Sequence, residues 1–419
     1  MDRRDFLRRL LATSSALYLG CGEELESAGS DAGADADADA DLLDGEADAA
    51  DAAPAPDAGP LGCADLFADA RFEAVVPFTG ERDLAFDTLV NEGWDGRLYT
   101  DLAKLDRGRL VTPTASFYVR TRFPDRLDLA ARTPWQIAVD GRVPTPHALA
   151  LDALLPAARP MGTHVMECSG NSRGAHFGLM SAAAWAGIPM AEVLDRLDWL
   201  PDATRLEVVG FDDHSVPSAN GHSTPGASWI FSVDQLVAQG AFLATGMNGE
   251  ALPLDHGFPV RLVVPGWYGC TCIKWLERLT FHAEDVPASS QMIEFASRTH
   301  QDGTPALARD YRPARMDQAA VPVRIERWRG PDGPVFRVVG ILWGGARPTD
   351  GLTIRFNPDE PFVPVDVCPP MEGNETWTIF EHRWTPRGPG DHVVRCAIDD
   401  PGVPTRRLDA GYYDRTLTV

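Results

Sequence analysis

The chain has no uninterrupted apolar run of about eighteen residues or more, so no part of it reads as a conventional membrane-spanning helix. It has no internal repeat, which sets aside solenoid and propeller architectures. Positive charge is scarce: 38 Lys or Arg stand against 61 Asp or Glu, for a formal charge of −23. That balance argues against non-specific binding to nucleic acid or to anionic membranes. The scarcity is greatest between Gly22 and Pro60, where thirteen acidic residues occur and no basic one. Bulky apolar side chains are few there as well. The segment buries too little surface to offset chain entropy and reads as a disordered acidic spacer.

The remainder is ordinary globular material. Hydrophobic residues make up 44% of the 419, enough for a sizeable core. That length implies two folded domains, because single cores rarely grow past about 250–300 residues. The first residues follow the order of an export signal. Arg3 and Arg4 precede Phe6 and Leu7, a short apolar run extends from Leu10 to Gly20, and Cys21 follows. The Arg-Arg start is similar to a twin-arginine (Tat) signal, which implies export of a folded, cofactor-loaded protein to the periplasm. Gly20-Cys21 is similar to a lipoprotein cleavage box, with Tyr18 where such boxes usually carry Leu, and implies membrane attachment through lipid at Cys21. The chain then divides into an export signal at 1–21, the spacer at 22–72, and folded domains at 73–287 and 288–419.

Seven cysteines occur: Cys21, Cys63, Cys168, Cys270, Cys272, Cys368 and Cys396. An oxidising compartment permits disulfides, and Cys368 and Cys396 share one expected domain, so they are candidates to pair, although spacing leaves the connectivity open. Residues 73–287 mix strand and helix signals. Short buried strands are expected at 206–211 and 260–265, and a helix at 181–197, where Trp185, Ile188, Val193 and Leu194 roughly follow the helical period. Many prolines there imply long loops on an α+β scaffold. From 288 onward, β-like runs recur at 321–328, 335–343, 352–357, 376–384, 391–398 and 415–419, separated by Gly, Pro and Asp. That spacing is the mark of an antiparallel, immunoglobulin-like β-sandwich.

Three segments carry chemistry. In Glu167-Cys168-Ser169-Gly170-Asn171-Ser172-Arg173, a cysteine among small and polar residues suits a tight loop where a thiolate meets a soft metal. Arg173 would favour the thiolate and attract an anion. A buried structural cysteine is the competing reading. Between His256 and Trp275, His256, Arg261 and Lys274 lie among glycines, a combination that suits phosphate; a Gly/Pro hairpin with solvated charges is the alternative. In Phe117-Tyr118-Val119-Arg120-Thr121-Arg122-Phe123, strand alternation would put Tyr118, Arg120 and Arg122 on one face, which an exposed strand would also satisfy. Cys270-Thr271-Cys272 lacks the spacing of a zinc framework and reads as packing or a redox pair.

Together, in this order, these segments resemble the sulfite oxidase family of molybdopterin enzymes, over roughly residues 75–419. The resemblance implies a mixed α/β molybdopterin-binding domain followed by a sandwich that forms a homodimer. It implies Cys168 as the molybdenum ligand. Tyr118, Val119, Arg120, Thr121, Arg122, Asp212, His256, Arg261, Cys272, Ile273 and Lys274 would contact the pterin. Arg120 and Arg173 would hold a small anionic substrate. The family's catalytic tyrosine falls at Phe295 by count, and phenylalanine cannot donate a hydrogen bond. Arg122 and the two cysteines also depart from the vertebrate-type pattern, which puts sulfite itself in question. No haem domain is expected before the core, so electrons would pass to an external carrier such as a c-type cytochrome. The expected activity is oxygen-atom transfer on a small sulfur oxyanion. Sulfoxide reduction is the alternative chemistry, and a non-catalytic surface lipoprotein the alternative without chemistry.

Overall fold

A computed structural model describes residues 63, 65–212, 227–370 and 372–419. The export signal at Arg3 and Arg4, the lipid site at Cys21 and most of the spacer lie outside the described residues; the end of the expected spacer is ordered instead, with Cys63 in a disulfide, Phe67 buried and Arg71 opening a strand. Among the described residues, no helix is long and apolar enough to cross a membrane.

All six expected C-terminal runs are strands, and they build two antiparallel sheets. One sheet orders Arg71–Val76, Ala319–Gly330, Gly333–Trp343 and Thr378–Trp384. The other orders Val363–Pro364, Leu352–Arg355, Asp391–Ile398, Arg415–Thr418 and Phe78–Thr79. Alternate residues of the second sheet, such as Leu352, Ile354, Val394 and Cys396, are buried in a core shared with Ile325, Val338 and Ile341 of the first, whose long strands are buried almost continuously. Period-two burial of this kind is what a sandwich requires.

Two expectations need correction here. The division at residue 73 assigned 73–79 to the cofactor domain, whereas Arg71–Val76 and Phe78–Thr79 each pair with a sandwich strand. The first covers the outer edge of the long strand Ala319–Gly330, which would otherwise present unpaired backbone groups. The expected partner of Cys368 is also different: the disulfide joins Cys63 to Cys368, and Cys396 is a free, buried thiol. Cys396 lies within the strand Asp391–Ile398, where its side chain belongs to the core.

The cofactor domain is richer in sheet and poorer in helix than its pattern implied. A five-stranded sheet orders Ser228–Ser232, Arg205–Gly210, Leu276–His282, Gln136–Gly141 and His147–Ala150. A second orders Glu250–Ala251, Phe242–Met247, Met180–Pro189 and Arg159–Glu167, and Arg261–Val263 also pairs with Phe242–Met247. The helix expected at 181–197 is instead the strand Met180–Pro189 followed by the short helix Met190–Leu194. The run Ser181-Ala182-Ala183-Ala184 has good helical propensity, but its pairing with Thr163–Met166, continued by pairing of Trp185–Pro189 with Phe242–Met247, overrides it. This strand is a shared wall. Ala182 faces the sandwich core, while Ala183 and Trp185 face the core of the cofactor domain. Burial on both faces removes the polar alternation that marks a strand.

Candidate active site

Cys168 follows the strand Arg159–Glu167 directly, at the mouth of a tightly bonded loop. Its N–H donates to Leu179 O at 2.9 Å, and its carbonyl accepts from Asn171 N–H at 2.9 Å. Asn171 is fully buried. Its amide donates to Phe177 O at 2.9 Å and accepts from Leu179 N–H at 3.1 Å, which fixes the loop from beneath. Arg407 reaches in from the C-terminal region and donates to Ser169 O at 2.7 Å. The loop is therefore rigid because each turn of its backbone has a designated partner.

The sulfur of this loop borders two cavities. The first is lined by Tyr118, Val119, Arg120, Thr121, Cys168, Asp212, His256, Arg261, Cys272, Ile273 and Lys274, among others. Every residue expected to contact the pterin is in that lining except Arg122. The expected alternation fails at this point. Only Val119–Arg120 is strand, paired with Arg97–Leu98, and Thr121 takes a φ of +78°. The backbone bends around the cavity, so successive residues line it, while Arg122 turns away to ion pairs with Glu92 at 2.7 Å and Asp255 at 3.8 Å.

The far wall is built by the His256-to-Lys274 segment. Gly257, at φ +107°, lets the chain reverse between His256 and Arg261. Arg261 is 4% exposed, yet its guanidinium meets only neutral acceptors: His256 O at 3.1 Å, Cys272 O at 2.9 Å and Met166 Sδ at 3.3 Å. Its Nε has no hydrogen-bond partner among the described residues. Lys274 Nζ donates to Thr121 O at 2.6 Å and Asp255 O at 2.9 Å. Burial lowers its pKa to about 7, with Asp212 opposing and Arg261 adding to the fall. His256 is driven down to about 3 by burial and then by Lys274 and Arg261, so it is neutral at ordinary pH. Buried positive charge with so little compensation suits an anionic ligand. The residues present thus fit a pterin that carries a phosphate, with one soft thiol at the metal end. Among the described residues, no group of three or more His, Cys, Asp or Glu forms a metal cage.

The second cavity is an open basin on the other side of Cys168. Arg82, Arg97, Arg120, Arg298, Arg406 and Arg407 line it. Arg173 does not. It is exposed, in the turn Arg173–Ala175, and its charge acts on Asp414 and Arg415 instead. The turn rotates its side chain away from the sulfur although the two are close in sequence. Arg97, Arg298 and Arg407 were not foreseen, because they come from segments distant in the chain. Only the Arg406-Arg407 pair, in an acidic protein, was a local signal. Phe295 ends the helix Ser290–Phe295 and lines both cavities.

Comparison with known proteins agrees with this arrangement. Residues 123–290 match the oxidoreductase molybdopterin-binding domain. The mitochondrial sulfite oxidase of Rattus norvegicus is 30% identical over 238 residues, 52% of this chain and 40% of that protein. The NAD(P)H nitrate reductase of Betula pendula is 30% identical over 191 residues, 42% of this chain and 21% of that protein. The matched stretches therefore span less than half the length of these curated relatives. The solved structure of the sulfane dehydrogenase SoxCD from Paracoccus pantotrophus shares the fold, with a TM-score of 0.54 at 19% identity, over 86% of this chain and 88% of that one. Residues 123–290 thus match a molybdopterin-binding oxidoreductase domain, and the chain is similar to sulfite oxidases over about half of its length.

Proposed function

We propose that this protein is a molybdenum-cofactor oxidoreductase that transfers an oxygen atom, supplied by water with release of two protons, to a small sulfur oxyanion such as sulfite and passes two electrons to an external carrier, such as a c-type cytochrome. The observation that carries this reading is the position of Cys168, which borders both the cavity that Arg261 and Lys274 line and the open arginine-lined basin. Molybdenum bound through the pterin supplies the two-electron change and the oxygen transfer. The chain's own residues supply the rest. The Cys168 thiolate holds the metal. Arg261, Lys274 and neutral His256 hold the anionic part of the cofactor. Arg120, whose guanidinium donates to Trp94 O at 2.8 Å, borders both cavities and would contact both cofactor and substrate. The arginines of the basin attract an anion and repel cationic competitors.

The test is turnover by purified, molybdenum-loaded protein, assayed with sulfite and an artificial electron acceptor, and with a neutral sulfoxide and a donor. Sulfite-dependent reduction of the acceptor supports the reading. Turnover of the sulfoxide alone would replace it with the reductase alternative, and absence of molybdenum would favour a non-catalytic lipoprotein. The same reading includes twin-arginine export and a homodimer through the sandwich. Retention of an Arg3→Lys/Arg4→Lys variant in the cytoplasm supports the first, and unchanged fractionation opposes it. A monomer at micromolar concentration by sedimentation would oppose the second.

A further inference from the structure

The arginines of the basin differ in what they already hold. Arg97 donates to Trp94 O at 2.7 Å and Gly96 O at 2.8 Å. Arg82 donates to Gly174 O at 2.6 Å. Arg406 is bidentate to Asp317 at 2.7 and 2.8 Å. Arg407 holds Ser169 O and Arg298 O at 2.7 and 2.8 Å and lies 3.9 Å from Glu167. These side chains act mainly as struts. Arg298 is different. Among the described residues its guanidinium makes no hydrogen bond and no ion pair. Its one ring contact is with Phe295, whose centroid lies 5.2 Å from Cζ.

The guanidinium is also beside the sulfur. A Cβ built on Gly170 would lie 3.7 Å from Arg298 Nη1 and 3.9 Å from Cys168 Sγ, so both groups border the same small gap. The backbone under Arg298 is held in place, since its carbonyl accepts from the same Arg407 that grips the Cys168 loop. A planar cation with its donors unspent, carried on an aromatic face and anchored at its backbone, is arranged to orient an oxyanion.

We propose that Arg298, and not Arg173, is the substrate-orienting cation beside Cys168, and that Phe295 is the platform that holds it. The proposal rests on the oxyanion reading above, and it gives the missing tyrosine a rationale. Position 295 presents a ring face to a cation, and the hydrogen-bond donors come from three residues further along the chain. A substrate bound here would be a compact oxyanion able to accept two parallel N–H bonds.

Sulfate, an inert dianion, probes the site without requiring turnover. Its binding to the molybdenum-loaded protein is measured by calorimetry at fixed ionic strength, for the wild type and for Arg298→Met, Arg298→Lys, Phe295→Leu and Arg173→Met. The expected result is a Kd raised at least about tenfold by Arg298→Met, as for loss of a charge-assisted contact. Arg298→Lys should recover part of that loss, and Phe295→Leu should weaken binding while keeping the charge. Arg173→Met should change Kd less than about twofold. Equal binding by wild type and Arg298→Met, with both folded by circular dichroism, overturns the proposal, as does a larger loss in Arg173→Met. The two readings fail separately. Arg298-dependent sulfate binding without sulfite turnover keeps this assignment and removes sulfite oxidation. Sulfite turnover with a KM indifferent to Arg298 does the reverse.

Discussion

Trp343 Nε1 donates a 3.0 Å hydrogen bond to the carboxylate of Glu167, so a sandwich side chain holds the residue that immediately precedes Cys168. Both residues are buried, and Glu167 also lies within 3.4 Å of the Asn171 amide and 3.3 Å of the Tyr413 hydroxyl. The Cys168 loop is thus supported from the C-terminal domain as well as from its own sheet. Trp343→Phe keeps the ring but leaves this carboxylate short of a donor. It should destabilise the protein by about 1–3 kcal/mol, read by chemical denaturation.

The same carboxylate makes stability depend on pH. Burial is the largest influence on Glu167 and raises its pKa above 4.5, against the opposing pull of Arg407 and its hydrogen-bond donors. The folded state then binds the proton more tightly than the unfolded one. The cost of the buried charge is absent below 4.5, grows as pH rises from there, and levels off above the folded pKa. Relative to wild type, Glu167→Gln should therefore gain stability progressively as pH rises through that window. Thermal melts of both proteins at a series of pH values check the sign. A constant difference between them would contradict it.

Lys274 acts in the opposite pH range. Burial holds its pKa near about 7 in the folded protein, against an ordinary 10.5. Stability linked to this group is fully present above 10.5 and lost as pH falls toward about 7. Protein prepared without cofactor should become more stable as pH is raised across that interval, and Lys274→Met should reduce the slope. Cofactor-loaded protein should show a smaller slope, because a bound anion supports the charged amine.

Cys168→Ser should fold and retain pterin, since the pterin-contacting residues lie elsewhere in the lining. Turnover should fall to background, because a hydroxyl is a harder and weaker ligand than a thiolate. Pterin content and turnover are measured on the same preparation. Near-normal turnover at full molybdenum occupancy would remove Cys168 from its assigned role.

The Cys63–Cys368 disulfide closes a loop across a sequence separation of 305 residues. Constraining the unfolded chain over such a length typically contributes about 2–4 kcal/mol. Cys63→Ser should lower the melting temperature, and a reductant should lower that of the wild type but not of the variant.

Sequence by itself determined the parts of this protein whose signals are local. The sandwich strands were legible because alternating burial, seen in Leu352–Arg355 or Asp391–Ile398, is written into successive residues. The cofactor wall was legible because His256, Arg261 and Lys274 lie within one short segment. Tertiary structure alone decided the rest. It chose Cys63 over Cys396 as the partner of Cys368, since pairing depends on where distant segments meet. It turned the alanine run at Ser181 into a strand, because pairing with Thr163–Met166 outweighs helical propensity. It directed Arg173 outward and brought Arg97, Arg298 and Arg407 to the sulfur from three separate parts of the chain. The direction of a side chain depends on the backbone that carries it and on what packs around it. Neighbouring letters in the sequence record neither.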